Sequence, residues 1–174
     1  MEGLLFKNSI QGPVSSDGAW GKIAETTLSS DTPTIEFANL GLENYRYFKL
    51  LMNLNNNLLN GEDLWIRLND ITTFTYRNVE MANTAGSINT YSRFILGRTY
   101  SNYPAFYEVL LSNIINSRKS IITRGSYVNA SNYIVPTSYC GTQDTIANIV
   151  RISIMNESTG LFTAGSQLML MGVK

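Results

Sequence analysis

The sequence predicts an all-β domain, a sandwich or barrel of antiparallel strands, and three observations predict it. Short segments alternate apolar and polar residues with the period of two that turns one strand face to a core. Clusters of Gly, Asn, Ser and Pro interrupt these segments about every ten residues, as turns do. No segment holds a sustained helical period. The nearest to one, 106–115, contains Val109, Ile114 and Ile115 and alternates well enough to favour a strand.

Taken in order, residues 1–18 are broken by Gly12-Pro13 and by Ser15, Ser16, Asp17 and Gly18, and form either an arm that reaches a neighbour or a loose terminus. Trp20 and Ile23 follow, then a short strand over Ile35, Glu36 and Phe37 and a turn through Gly41. Segment 45–54 puts Phe48, Leu50, Met52 and Leu54 on one face. A polar turn, 55–61, precedes 63–69, where Leu64, Ile66 and Leu68 oppose Trp65, Arg67 and Asn69. Segment 73–81 is a weaker strand and 82–89 a loop. Strands are expected over 91–98, 106–114 and 120–128, with Asn116, Ser117 and Arg118 turning between the last two. The stretch 128–145, rich in Asn, Ser, Tyr and Gly, reads as a long surface loop holding Cys140. Segment 146–155 sets Ile146, Val150, Ile152 and Ile154 on one face, and the turn 156–160 leads to a closing strand. That strand, with Leu168, Met169, Leu170 and Met171 uninterrupted by charge, suits burial on both faces. Together these make about eight to ten strands in one domain over 19–174.

Composition narrows the function. The chain has 174 residues, 44% of them hydrophobic, enough to bury roughly 70% of the unfolded surface in one core. Only 15% are charged, and thirteen basic residues balance thirteen acidic ones. A nucleic-acid surface needs a basic stripe to displace counterions, and attachment to an anionic membrane needs the same, so neither partner is expected. Near-zero net charge permits close self-association. No run reaches the roughly 18 apolar residues of a membrane span, and the first residues lack the basic start and apolar stretch of a secretory leader. Cys140 is alone, so no intrachain disulfide forms, and with no His in the chain it reads as a small apolar filler. The sequons at Asn129 and Asn156 are ordinary products of an Asn- and Ser-rich chain.

Three stretches, in order, carry a resemblance. Trp20, Gly21, Lys22 and Ile23 precede the Ile35-Glu36-Phe37 strand and Tyr45. Leu64-Trp65-Ile66-Arg67-Leu68-Asn69-Asp70 follows, with Tyr76 after it. Asn148-Ile149-Val150-Arg151-Ile152-Ser153-Ile154 then leads to Phe162-Thr163-Ala164-Gly165-Ser166 and Met171-Gly172-Val173. This set resembles a family of tailed-bacteriophage virion proteins with a jelly-roll fold, over nearly the whole chain. Leu68-Asn69-Asp70 lacks the small spacer common in the family between Asn and Asp, and Met171 stands where Tyr is common. The resemblance implies a jelly-roll β-sandwich, a location in the virion, and no catalytic site.

The residues themselves offer little catalysis. Without His, the Ser-His-Asp and Cys-His arrangements and His-based zinc sites are excluded. Glu62-Asp63 and Glu36/Glu43 are the close carboxylate sets, and Glu62-Asp63 reads as a solvated corner. Asn69-Asp70 reads as an Asx turn closing a strand, ahead of a calcium site. No catalytic, cofactor or metal residue is assigned. Exposed Tyr and Trp serve as protein anchors or as platforms for sugar rings. Trp65, Tyr100, Tyr103, Tyr107, Tyr133 and Tyr139 are the candidates for such a surface, with Trp65 either exposed, packed against a second layer or buried at a subunit contact, and most other aromatics are assigned to the core.

The expectation is therefore a non-enzymatic structural protein of a tailed-phage virion. It would be an auxiliary or decoration protein of the capsid, a homo-oligomer (a trimer by analogy) in contact with itself and with other virion proteins such as the major capsid protein. The alternative is a tail or fibre-tip module that binds host surface glycan. A carboxylate-dependent glycan hydrolase ranks third.

Overall fold

The computed structural model describes residues 19–57, 61–73, 75–80, 89–101, 103–157 and 160–174. The arm or loose terminus expected over 1–18 lies outside them, as do 82–88 of the expected loop. The described residues form twelve strands and a single 3-10 turn at Leu42–Asn44. The strands are β1 (Gly21–Thr27), β2 (Thr34–Ala38), β3 (Tyr47–Leu54), β4 (Glu62–Leu68), β5 (Tyr76–Glu80) and β6 (Asn89–Tyr91). They continue with β7 (Phe94–Thr99), β8 (Ala105–Ser112), β9 (Lys119–Val128), β10 (Ile134–Gln143), β11 (Arg151–Asn156) and β12 (Gln167–Val173).

These strands make two antiparallel sheets. The large one runs β1-β12-β3-β8-β9-β10-β5-β6 and the small one β2-β11-β4-β7. Four pairings set the architecture: β1 with β12, β2 with β11, β3 with β8 and β4 with β7. The first four strands thus pair in reverse order with later ones, as the two arms of one long hairpin would, and alternate pairs fall in opposite sheets. Strands β9, β10, β5 and β6 extend the large sheet beyond β8.

The alternation seen in sequence becomes the core. In β3 and β8, Phe48, Leu50 and Met52 stand opposite Leu111, Val109 and Tyr107, all buried. Leu168 and Leu170 of β12 join them, and Ile35, Phe37, Leu64, Ile66, Ile152 and Ile154 face them from the small sheet. Each such aliphatic or aromatic side chain gains about 1.5–3 kcal/mol from burial. The closing strand is buried on one face only, because Met169 and Met171 point outward and are half-covered.

Three other expectations change. The loop expected over 128–145 holds β10, paired with β9 along its whole length and with β5 from Tyr139 onward. Pro136 lies in the half of β10 with a neighbour on one side only, where a missing N–H is tolerated. The strand expected over 91–98 is two strands, β6 in the large sheet and β7 in the small one. Finally, β11 starts only at Arg151, leaving Ile146 and Val150 at 56% and 51% exposure. The Asn69 side-chain oxygen accepts the N–H groups of Val150 and Arg151 at 2.8 and 3.2 Å, so these backbone groups are satisfied outside the ladder.

Candidate functional site

Because the large sheet continues past β8, its inner face overhangs β7, the edge of the small sheet. A cleft of about 410 Å3 lies there, within the roughly 300–1,000 Å3 common to small-molecule sites. Tyr127 of β9, Thr137 and Tyr139 of β10 and Glu80 of β5 line one side. Asp63 of β4 and Arg98 of β7 line the other, and Tyr91 of β6 is also part of the lining.

Arg98 is held from two directions. Its Nε donates to Asp63 Oδ1 at 2.8 Å, across the β4–β7 ladder where the two residues are register partners. That bond and the Asp63 charge push the Arg98 guanidinium pKa up. Its backbone is gripped by the Tyr107 hydroxyl, which accepts from the Arg98 N–H at 2.8 Å and donates to the Arg98 carbonyl at 2.6 Å. The Tyr107 ring reaches β7 only because residue 97 is Gly. Gly97 has a φ of 151°, and a Cβ there would stand 2.4 Å from the ring.

The aromatic wall is also built in layers. Tyr127 stacks on Tyr100 with centroids 5.6 Å apart and planes 14° apart, and Tyr100 in turn lies over Gly61, where any Cβ would strike the ring. One face of Tyr127 is thereby propped from behind. Tyr139 and Glu80 are register partners on β10 and β5. Burial, followed by the Glu80 and Asp63 charges, pushes the Tyr139 phenol up to about 12. Burial first and Tyr100 second also push Tyr127 up. Both phenols therefore keep their protons at neutral pH. Among the described residues Glu80 has no ion-pair partner.

The six aromatic residues selected from sequence do not form one surface. Tyr139 lines the cleft, and Tyr100 stands behind Tyr127. Tyr103 is half-buried and bridges Tyr100 through the backbone. Tyr133, at 69% exposure, lies in the β9–β10 turn. Two are corrected outright. Tyr107 is wholly buried and works as a core clamp. Trp65 is 6% exposed, packed under the Arg93 guanidinium at 3.0 Å from the ring centre and edge-on to Tyr91 at 6.2 Å. Sequence reasoning does not single out Glu80 or Arg98, leaves Tyr127 outside the selected aromatics, and notes Asp63 only as a carboxylate beside Glu62. Asp63, partly exposed at the entry to β4, is one half of the Arg98 pair. Strand pairing alone brings these residues together, so the linear order carries no sign of it.

A second surface is apolar. On the outward face of the large sheet, Trp20, Tyr47, Leu110 and Ile122 are exposed around a groove of about 230 Å3. Leu110 and Ile122 are direct partners across β8 and β9. The Lys49–Glu108 pair, at 3.2 Å, lies beside them, with Lys49 also 5.2 Å from the Trp20 ring centre. Phe106, at 52% exposure, continues the face towards Met169 and Leu51.

Among the described residues no group of three His, Cys, Asp or Glu side chains is placed to hold a metal ion. None of the described helices is long and apolar enough to cross a membrane. No protein-family profile matches the chain, and no curated protein matches it at a significant level.

Proposed function

We propose that this chain is a non-enzymatic structural protein of a tailed-phage virion. It is a jelly-roll module that works through protein–protein contact as an auxiliary or decoration protein of the capsid. The observation that carries the reading is the strand pairing. With the inserted β5, β6, β9 and β10 set aside, the sheets reduce to β1-β12-β3-β8 and β2-β11-β4-β7. Eight antiparallel strands rolled as one hairpin into two sheets are the jelly-roll arrangement, which is shared by viral capsid and lectin domains. The virion reading rests on that arrangement together with the sequence resemblance.

The apolar outward face supplies the contact surface. Large apolar side chains flanked by an ion pair are the composition of a subunit interface, and near-zero net charge offers no general repulsion to assembly. A second copy of the chain and the major capsid protein are the partners, with a trimer as the working stoichiometry. The test is native mass measurement and capsid binding of the full chain, beside a Leu110→Glu/Ile122→Glu variant. The expected result is a defined oligomer that binds capsids, and a variant that melts normally but is monomeric and unbound. A strict monomer at high concentration that also ignores capsids sinks the reading.

A further inference from the structure

The polar cleft stands on the opposite side of the large sheet from the apolar face, and the assembly reading makes no use of it. We propose that the cleft between β7 and the β9–β10–β5 extension is a binding site for a neutral saccharide.

The argument is one of chemical fit. A sugar ring presents hydroxyls that both donate and accept, together with C–H faces that pack on aromatic rings. The cleft offers the matching set. Glu80 accepts, the Arg98 guanidinium donates, and Tyr127 and Tyr139 supply ring faces and phenols that stay protonated. Tyr127 is held in place by Tyr100 behind it, and Arg98 by Asp63 and by the Tyr107 clamp. Pre-positioned groups lose little freedom on binding, which favours affinity for a small ligand.

Charge selects against anionic ligands. Asp63 and Glu80 against Arg98 leave the cleft with one net negative charge, which opposes a phosphate or sulfate group. A neutral, polyhydroxylated ring meets no such penalty and engages donor and acceptor together, whereas an ammonium group, which has no acceptor, leaves the Arg98 donors unused.

The probe is a printed array of neutral hexose and N-acetylhexosamine oligosaccharides, with sulfated oligosaccharides and a lysine-rich peptide as the contrasting arms. Hits are remeasured by calorimetry with the intact chain, Glu80→Gln, Tyr127→Ala and Leu110→Glu/Ile122→Glu, each checked for an unchanged melt. The expected result is millimolar or tighter binding of at least one neutral oligosaccharide. That binding weakens about tenfold or more in Glu80→Gln and Tyr127→Ala, and persists in the outward-face variant. Should Tyr127→Ala fail to fold, Glu80→Gln decides alone. No neutral saccharide bound, binding unchanged by Glu80→Gln, or binding confined to the sulfated or cationic arm each overturns the proposal. The assembly reading is untouched by any of these outcomes, because its own variant lies on the other face.

Discussion

The Tyr107 hydroxyl satisfies both backbone polar groups of Arg98, at 2.8 Å from the nitrogen and 2.6 Å from the carbonyl oxygen. Tyr107 belongs to the large sheet and Arg98 to the edge strand of the small one. Tyr76 repeats the device, accepting from the Leu68 N–H at 3.0 Å and donating to the Leu68 carbonyl at 3.2 Å. Arg98 lies on an edge strand and Leu68 lies on β4 past the end of its pairing with β7, so each has backbone groups that the ladder leaves open, and buried phenols from the facing sheet provide their partners. The clamps fasten the two sheets to each other while aligning the cleft.

Tyr107→Phe keeps the ring and removes the clamp. Two backbone groups of Arg98 then lose their partner, at a cost of roughly 1–3 kcal/mol. For a domain of this size that lowers Tm by several degrees, at roughly 2–4 °C per kcal/mol. Thermal melts of Tyr107→Phe beside Tyr133→Phe check it. The exposed Tyr133 has no clamp to lose, so its variant melts as the parent does.

The same phenols dictate an alkaline transition. Burial first, against the opposing pull of the Leu68 backbone bond, raises Tyr76 to about 12, and Tyr139 is raised to about 12 as well. Tyr107 is pushed up further, chiefly by burial. The folded state thus holds protons that the unfolded state releases near pH 10, so stability is full below about pH 10 and falls as pH rises through the folded values. Circular dichroism followed together with tyrosinate absorbance should show unfolding and ionisation as one event in that window. Tyr76→Phe and Tyr139→Phe should each flatten the decline. Ionisation completed with the fold intact contradicts this account.

Leu170 tests the closing strand. It is fully buried between Leu50 of β3 and Ala24 of β1. Leu170→Asp places an unpaired carboxylate in the core at a cost of several kcal/mol, against a total stability of roughly 5–15 kcal/mol. Loss of soluble, cooperatively melting protein is expected. Ser131→Ala, in the exposed β9–β10 turn, should change stability by less than about 0.5 kcal/mol. A stable, cooperative Leu170→Asp protein means that β12 is not part of the core.

Strands with a dry inner face were legible in the sequence. In β3 and β4 the residues facing the core are apolar at every second position because one face meets the core and the other does not, whereas the unbroken apolar run of β12 gave no sign that only one of its faces is buried. Strand β10 was not legible, because its inner face is the cleft. Val135, Thr137 and Tyr139 look onto a polar space, so polar residues fall on both faces and the alternation vanishes. The feature that hid this strand is the feature that makes the candidate site. Lys119 was missed for a related reason. It occupies an inward position of β9 and is buried, and its ammonium donates to the Ile114 and Ser117 carbonyls at 2.7 and 3.1 Å, tying the β8–β9 turn. A period-two reading expects carbon there and has no means of foreseeing two converging carbonyls.

By itself the sequence determined the β class, the inner faces of the dry strands, and the absence of histidine chemistry. These follow from side-chain identity and local period alone. Only the tertiary structure decided which strands pair, that Tyr107 is a clamp and Trp65 a covered residue, and that Asp63, Glu80, Arg98, Tyr127 and Tyr139 share one cleft. The reason is physical. Strand pairing joins residues far apart in the chain, and a site assembled from five strands exists only once their registers are set.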